Sequence, residues 1–196
     1  MQIEYYFKGR MFSCPKSVYY PSEDSYFLAE NVATKKNAVV IDVGCGSGIQ
    51  SLNTLINGAS KAIALDLNED ALKATKENCE KAGFMGKIET IKSDLFENCS
   101  KKKADAIIFN PPYVVSDEVK YVDLDGGKKG RETLDVFLEE FPMHLKENGE
   151  CFFLQTNLNG EAETEKKLGD RGFTFEIVAR KGGFFEELIV YRAKKS

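Results

Sequence analysis

Two short segments and two separate carboxylates hold the chemistry available to this chain. The first segment is Asp42-Val43-Gly44-Cys45-Gly46-Ser47-Gly48. Glycines at alternate positions between a strand and a helix allow a tight turn and let backbone N–H groups approach a ligand at the helix N-terminus. The dinucleotide pattern G-x-G-x-x-G needs glycine at position 49, which is Ile49, and an acidic residue ahead of the loop discourages a pyrophosphate. Asp66 follows Gly44 by 22 residues (66 − 44) at the end of the next strand, where a carboxylate accepts two hydrogen bonds from ribose hydroxyls. Asp94, in Ser93-Asp94-Leu95-Phe96, has the equivalent place after the third strand and can accept from an exocyclic adenine amine. With Asp42 this makes three carboxylates at three strand ends, around the crevice where open α/β sheets bind ligands. Such a ring suits a cationic nucleoside without phosphates, namely S-adenosylmethionine (SAM).

The second segment, Asn110-Pro111-Pro112-Tyr113, follows a strand that neighbours the glycine-loop strand in a doubly wound sheet, so it stands at the rim of the same crevice. An amide nitrogen shares its lone pair with the carbonyl and is a poor nucleophile. Transfer to it needs acceptors that hold its N–H groups and draw the nitrogen toward a tetrahedral shape. The Asn110 Oδ1 and the Pro111 carbonyl can do this, while Tyr113 can stack on the planar amide. A sulfonium methyl is already activated, so alignment at ~3–3.5 Å and dry electrostatics suffice, with no catalytic histidine. The same turn can hold any planar exocyclic amine, which keeps adenine N6 as a competing acceptor.

These groups need a particular scaffold. Short β-branched apolar runs alternate with amphipathic stretches from Lys36 onward, the pattern of βαβ units in a parallel sheet covered on both faces. Strands are expected at 38–43, 61–67, 87–91, 104–109 and 150–156, and helices at 49–57, from an Asn68 cap to about 82, at 131–146 and at 161–170. Pro142 should tighten the last turn of the 131–146 helix. Strands at 174–180 and 185–192, joined through Lys181-Gly182-Gly183, close the sheet as an antiparallel hairpin. Ahead of the sheet, 3–12 reads as a small hairpin or extended strand, and Ser22 caps a helix over 23–32. Without a repeat, low-complexity tract or linker, residues 1–196 read as a single domain, with 1–35 an N-terminal extension packing on the cofactor site. The polar, glycine-rich stretch 116–130 beside the turn is where substrate recognition belongs.

Composition narrows the classes. The chain has 196 residues, net charge −4 and 42% hydrophobic residues, an ordinary globular balance. The sequence pI of 5.3 argues against nucleic acid as a partner, since duplex binders carry a basic face that releases counterions. Five scattered cysteines and a single histidine, His144, suggest reduced cytoplasmic thiols and no metal site. No apolar run reaches the ~18 residues needed to span a bilayer.

Taken together, the glycine loop and the Asn110 turn resemble the class I SAM-dependent amino-methyltransferases, and more narrowly the HemK/PrmC glutamine N5-methyltransferases that modify peptide-chain release factors. Val18-Tyr19-Tyr20-Pro21-Ser22-Glu23-Asp24-Ser25 and Gly126-Gly127-Lys128-Lys129-Gly130-Arg131-Glu132 are similar to the short archaeal and eukaryotic branch. The resemblance runs from about Val18 to Tyr191. It implies a Rossmann-like, doubly wound, mostly parallel seven-stranded sheet. It implies that Ser25 reaches the cofactor's carboxylate end and that Asp42 and Gly44, with Gly46 and Gly48 in the loop, hold the methionine portion. Asp66 then holds the ribose, Asp94 and Leu95 the adenine, and Asn110 and Pro111 the target amide. The substrate implied is a release factor carrying Gly-Gly-Gln, and the partner a small zinc-binding activator protein forming a heterodimer along the edge strand near Phe84 and Met85. Bacterial members carry an additional N-terminal helical domain, and some relatives have Glu at the position of Asp42. A catalytically idle SAM-binding scaffold would be expected to have lost the loop or the turn, and both are intact.

Overall fold

The computed structural model describes residues 2–117, 121, 123–182 and 185–195. β1 (Gln2–Phe7) and β2 (Arg10–Pro15) form an antiparallel ribbon. Its Tyr5, Phe7, Phe12 and Cys14 are buried on one face, as the two-residue period of a strand dictates. α1 (Glu23–Asn31) follows, with Ser22 at its N-cap. The ribbon is longer than the 3–12 expected, because Gln2 pairs with Pro15.

The main sheet is built from β3 (Val39–Val43), β4 (Lys61–Asp66), β5 (Ile88–Lys92), β6 (Ala104–Phe109), β7 (Leu145–Thr156), β8 (Phe173–Gly182) and β9 (Glu187–Lys195). Their order across the sheet is β5-β4-β3-β6-β7-β9-β8. The first five run parallel, and β9 is antiparallel to both β7 and β8. The doubly wound sheet with an antiparallel end is therefore as the alternation of elements required. α2 (Ile49–Ile56), α3 (Glu69–Lys81), α4 (Glu132–His144) and α5 (Glu161–Asp170) connect the strands.

Alternate residues of the central strands feed two separate cores. Val40, Ala106, Ile108, Phe152 and Leu154 pack with α1, α2 and α3, while Ile41, Val43, Ile107, Phe109 and Phe153 pack with α4 and α5. Strands apolar on both faces in this way belong at the centre of a parallel sheet. Asn68 caps α3 as expected, its side chain accepting from the Asp70 N–H at 2.9 Å.

Two expectations shift. α4 ends at His144, and Leu145 already pairs with Ala104 in the sheet, so β7 begins five residues before position 150. Pro142 lacks the N–H a continuing helix needs, and Leu145 is buried where the sheet receives it. His144 is the last residue of α4 and is buried; it stacks on Phe96 with ring centres 4.4 Å apart, and its Nδ1 lies 3.1 Å from the Lys102 carbonyl. Finally, Lys181 and Gly182 extend β8 and pair with Leu188 and Glu187, while Gly183 lies outside the described residues. Among the described residues, no helix is long and apolar enough to cross a membrane, and no cluster of His, Cys, Asp and Glu could hold a metal ion.

Candidate active site

The C-terminal ends of β3, β4, β5 and β6 border a cavity of about 610 Å³. The glycine loop forms its floor. Gly44, Gly46 and Gly48 all have positive φ, and a Cβ on Gly48 would come within 2.9–3.0 Å of Thr75 on α3. Only glycine lets the loop turn that tightly while α2 packs against α3. Gly44 and Gly46 line the cavity, but Gly48 does not; it belongs to the packing behind the loop.

Asp42 is also displaced from the position expected of it. It is 1% exposed and is not part of the cavity wall. Its Oδ2 accepts from the Ser51 N–H at 2.9 Å and the Ser51 hydroxyl at 2.6 Å, so it caps the first turn of α2 from the strand before the loop. Burial pushes this carboxyl up to about 7 against the two Ser51 hydrogen bonds that lower it. Two of the three strand-end carboxylates therefore face the cavity. Asp66 accepts from the Gly46 N–H at 3.0 Å with one oxygen and from the Asn68 N–H at 2.9 Å with the other. Each oxygen keeps a lone pair for a hydroxyl donor, and burial raises this carboxyl too. Asp94 is exposed at the cavity mouth, beside Leu95 with φ +40°.

The opposite wall is the Asn110-Pro111-Pro112-Tyr113 turn after β6, together with Ser25 and Asp24 of α1. Asp24 is the group that sequence reasoning missed. It is 4% exposed and receives the Asn110 Nδ2 at 2.9 Å and the Tyr113 hydroxyl at 3.3 Å on one oxygen. The Tyr19 hydroxyl at 3.1 Å and the Ser25 N–H at 2.6 Å reach the other. Burial, and then the Asp24 charge, hold the Tyr19 and Tyr113 phenols well above their ordinary range, so both stay protonated donors. Asn159 braces the turn from behind. Its Nδ2 donates to the Tyr113 carbonyl at 2.9 Å and the Lys129 carbonyl at 3.2 Å, and its Oδ1 accepts from the Thr156 N–H at 2.7 Å. The 116–130 stretch folds back onto the turn, with the Gly126 N–H on the Val114 carbonyl at 2.8 Å and the Ser116 N–H on the Gly127 carbonyl at 3.0 Å. Residues 118–120 and 122 lie outside the described set.

Residues 21–185 match the family described as the methyltransferase small domain. Over 182 residues the chain is 43% identical to a Methanocaldococcus jannaschii protein provisionally named a protein N5-glutamine methyltransferase, covering 90% of this chain and 91% of that one. The chain belongs to this methyltransferase family. The enzyme is also 29% identical over 196 residues to mouse methyltransferase HEMK2, with 92% and 91% of the two chains covered. To the Aquifex aeolicus release factor glutamine methyltransferase it is 34% identical over 156 residues, 72% of this chain and 56% of that protein. Two solved structures share its fold. One is Encephalitozoon cuniculi Mtq2 in its complex with Trm112, with TM-score 0.74 and 24% identity over 92% of this chain and 99% of that one. The other is the Thermus thermophilus 16S rRNA N2 G1207 methyltransferase with AdoMet and guanosine, with TM-score 0.74 and 19% identity over all of this chain and 50% of that one.

The methyltransferase takes its methyl group from SAM, and the cavity suits that cofactor. Two buried polar atoms on its wall, Ser47 Oγ and Gln50 Oε1, have no hydrogen-bond partner, an arrangement that costs stability unless a ligand supplies donors or acceptors. Gln50 is held in place by its own Nε2, which donates to the Ser25 carbonyl at 2.9 Å. Neither residue stands out in the sequence, since each reads as an ordinary polar position of a loop or first helical turn.

Proposed function

We propose that the methyltransferase modifies the side-chain amide nitrogen of a glutamine, in the Gly-Gly-Gln loop of a peptide-chain release factor. The observation that carries this reading is Asn110 Oδ1: on a cavity-wall residue beside Pro111, it is buried and without a partner. A primary amide offers two N–H donors to two such acceptors, Oδ1 and the Pro111 carbonyl.

Asp66 would hold the ribose, Asp94 and Leu95 the adenine, and Ser25, Gly44, Gly46, Ser47 and Gln50 the methionine portion of the cofactor. When bound, SAM supplies an electrophilic methyl on a positively charged sulfur. Asn110 and Pro111 hold the two amide protons, which fixes the nitrogen in the crevice and weakens its conjugation with the carbonyl. Pro111 and Pro112 remove backbone freedom from the turn, so little of that order is lost on binding. Tyr113, tied through its hydroxyl to Asp24, bounds the acceptor pocket. The identity to the named glutamine methyltransferases supports the substrate class.

We further read residues 1–196 as one catalytic domain working in the cytoplasm, with the 1–35 extension as part of the cofactor site. The Tyr5 hydroxyl on the Ser47 carbonyl at 3.1 Å supports that packing. A small zinc-binding activator protein would cover β5, the edge strand, next to which Met85 is 78% exposed. Mtq2, of the same fold, was solved with Trm112.

The test is label transfer from radiolabelled SAM to a release factor, to its variant with Gln→Asn in Gly-Gly-Gln, to histone and to duplex DNA. Label on the release factor alone, lost with Gln→Asn, is expected; label on DNA and not on protein overturns the reading. Light scattering tests the partner: a stable, fully active single chain that gains nothing from an added activator removes the heterodimer.

A further inference from the structure

We infer that Asp24 is a positioning residue that sets which face of the Asn110 amide meets the acceptor; the inference rests on the amide-methylation reading above. An asparagine side chain has nearly the same shape with its O and N exchanged, so shape alone does not select the orientation that presents Oδ1 to a substrate N–H. Something must break the tie. Asp24 is the polar neighbour that does so.

The backbone N–H of Ser25 at 2.6 Å can only donate, and both tyrosine hydroxyls stay protonated. Asp24 is thus the common acceptor of this network. With Asn110 Nδ2 on Asp24 Oδ2 at 2.9 Å, the NH2 group is spoken for and Oδ1 is left over on the wall of the cavity. Turning the amide over would set its oxygen against a carboxylate oxygen at the same distance, and would offer the substrate a donor where it has donors of its own. The bonds from Tyr19 and Ser25, which precede or begin α1, fix the carboxylate itself. An orientation needed at residue 110 is therefore written at residue 24.

The Asp24→Asn variant keeps the shape and inverts this logic. The Ser25 N–H keeps the oxygen of the introduced amide, the NH2 group of that amide faces residue 110, and Asn110 turns over to accept from it. In the full chain with a Gly-Gly-Gln release factor, kcat is expected to fall about 10- to 100-fold, with SAM affinity by calorimetry within about twofold and an unchanged melting temperature. Adding Asn110→Asp gives a carboxylate at position 110 that accepts from the amide at position 24 with one oxygen and offers the other to the substrate. The double variant should exceed Asp24→Asn by about fivefold or more, a rescue that a purely structural role for Asp24 would not give.

A second measurement needs neither substrate nor a variant that folds at position 24. In the wild-type chain, the Asn110 side-chain NH2 signal, identified by its loss in Asn110→Ala, should show one proton shifted downfield and protected from exchange. The idea is overturned if Asp24→Asn keeps more than half of kcat, if its loss lies in SAM affinity, if the double variant is no better than the single, or if the wild-type NH2 protons exchange freely. Should the wild-type enzyme label no glutamine while its NH2 signal is oriented and protected, the substrate reading fails and the role of Asp24 in orienting Asn110 stands.

Discussion

The two walls of the cavity are held by different means. On the glycine-loop side the two carboxylates find their partners close along the chain: Asp42 meets Ser51 nine residues on, and Asp66 meets Asn68 two residues on and Gly46 twenty residues back. On the side of the Asn110 turn the partners are remote. Asp24 reaches Asn110 and Tyr113 across 86 and 89 residues, and Asn159 reaches Tyr113 across 46. The carboxylates of the loop side are thus fixed within the stretch from β3 through the loop, α2 and β4 to Asn68. The turn side exists only when α1, β6 and the 3-10 turn Asn157–Asn159 have come together, so its geometry depends on segments as far apart as residues 24 and 159.

Substitutions on the two sides should therefore differ in kind. On the turn side, Asn110→Ala is expected to lower turnover by at least ~100-fold while SAM affinity stays within about twofold, as for a group acting mainly on the transition state. Steady-state kinetics beside calorimetry check this, and a variant that keeps most of its turnover takes Asn110 out of the mechanism. On the loop side, Asp66→Ala should do the reverse. Loss of a charged acceptor for the ribose hydroxyls should weaken SAM binding by ~1.5–3 kcal/mol, and unchanged affinity by calorimetry would refute the assignment.

Asn159→Asp sharpens the contrast. It keeps the acceptor for the Thr156 N–H and sets an oxygen against the Tyr113 and Lys129 carbonyls. Denaturant unfolding should show a loss of about 1–3 kcal/mol, with turnover reduced and SAM affinity spared; reduced SAM affinity at full turnover would dissolve the division between the walls. The last contrast depends on pH and belongs to Asp42, whose native carboxyl is raised from 3.8 to about 7. Between those values the folded state binds more protons than the unfolded one, so this group's contribution to stability is full below pH 3.8 and is lost as pH rises through about 7. Asp42→Asn keeps an acceptor for Ser51 without titrating. Its melting temperature should gain on the wild type's between about pH 4 and pH 7 and level off above that, and a difference independent of pH would show that Asp42 does not titrate there.

The same division governs what can be read from the sequence. The alternation of elements, the sheet with its antiparallel end and the positions of the loop and turn are local patterns of apolar period, glycine and proline, and they were legible. Asp24 was not. In sequence it is one of two acidic residues at the start of a helix, where a solvated carboxylate beside the helix dipole is the ordinary explanation, and its burial depends on a turn 86 residues away. Asp42 was misplaced for the opposite reason: a carboxylate at a strand end can face the ligand or cap the next helix, and only the Ser51 hydroxyl at 2.6 Å decides between them. Ser47 and Gln50 gave no signal, because an unpaired oxygen is a property of the folded surroundings and not of the residue type.

The position of β9 between β7 and β8 means that the sheet is not completed in the order in which the chain is synthesised. β8 reaches the rest of the sheet only through β9, so a chain emerging from the ribosome carries β7 as an open edge until residues 187–195 appear. The contact of Tyr191 with Phe153, with ring centres 5.2 Å apart, forms at the end. The cavity wall, in contrast, is drawn from residues 17–133, all made earlier. A nascent chain can thus assemble its ligand-binding face while its other flank remains sticky, and a shortened C-terminus should show itself first as aggregation and only later as loss of cofactor binding.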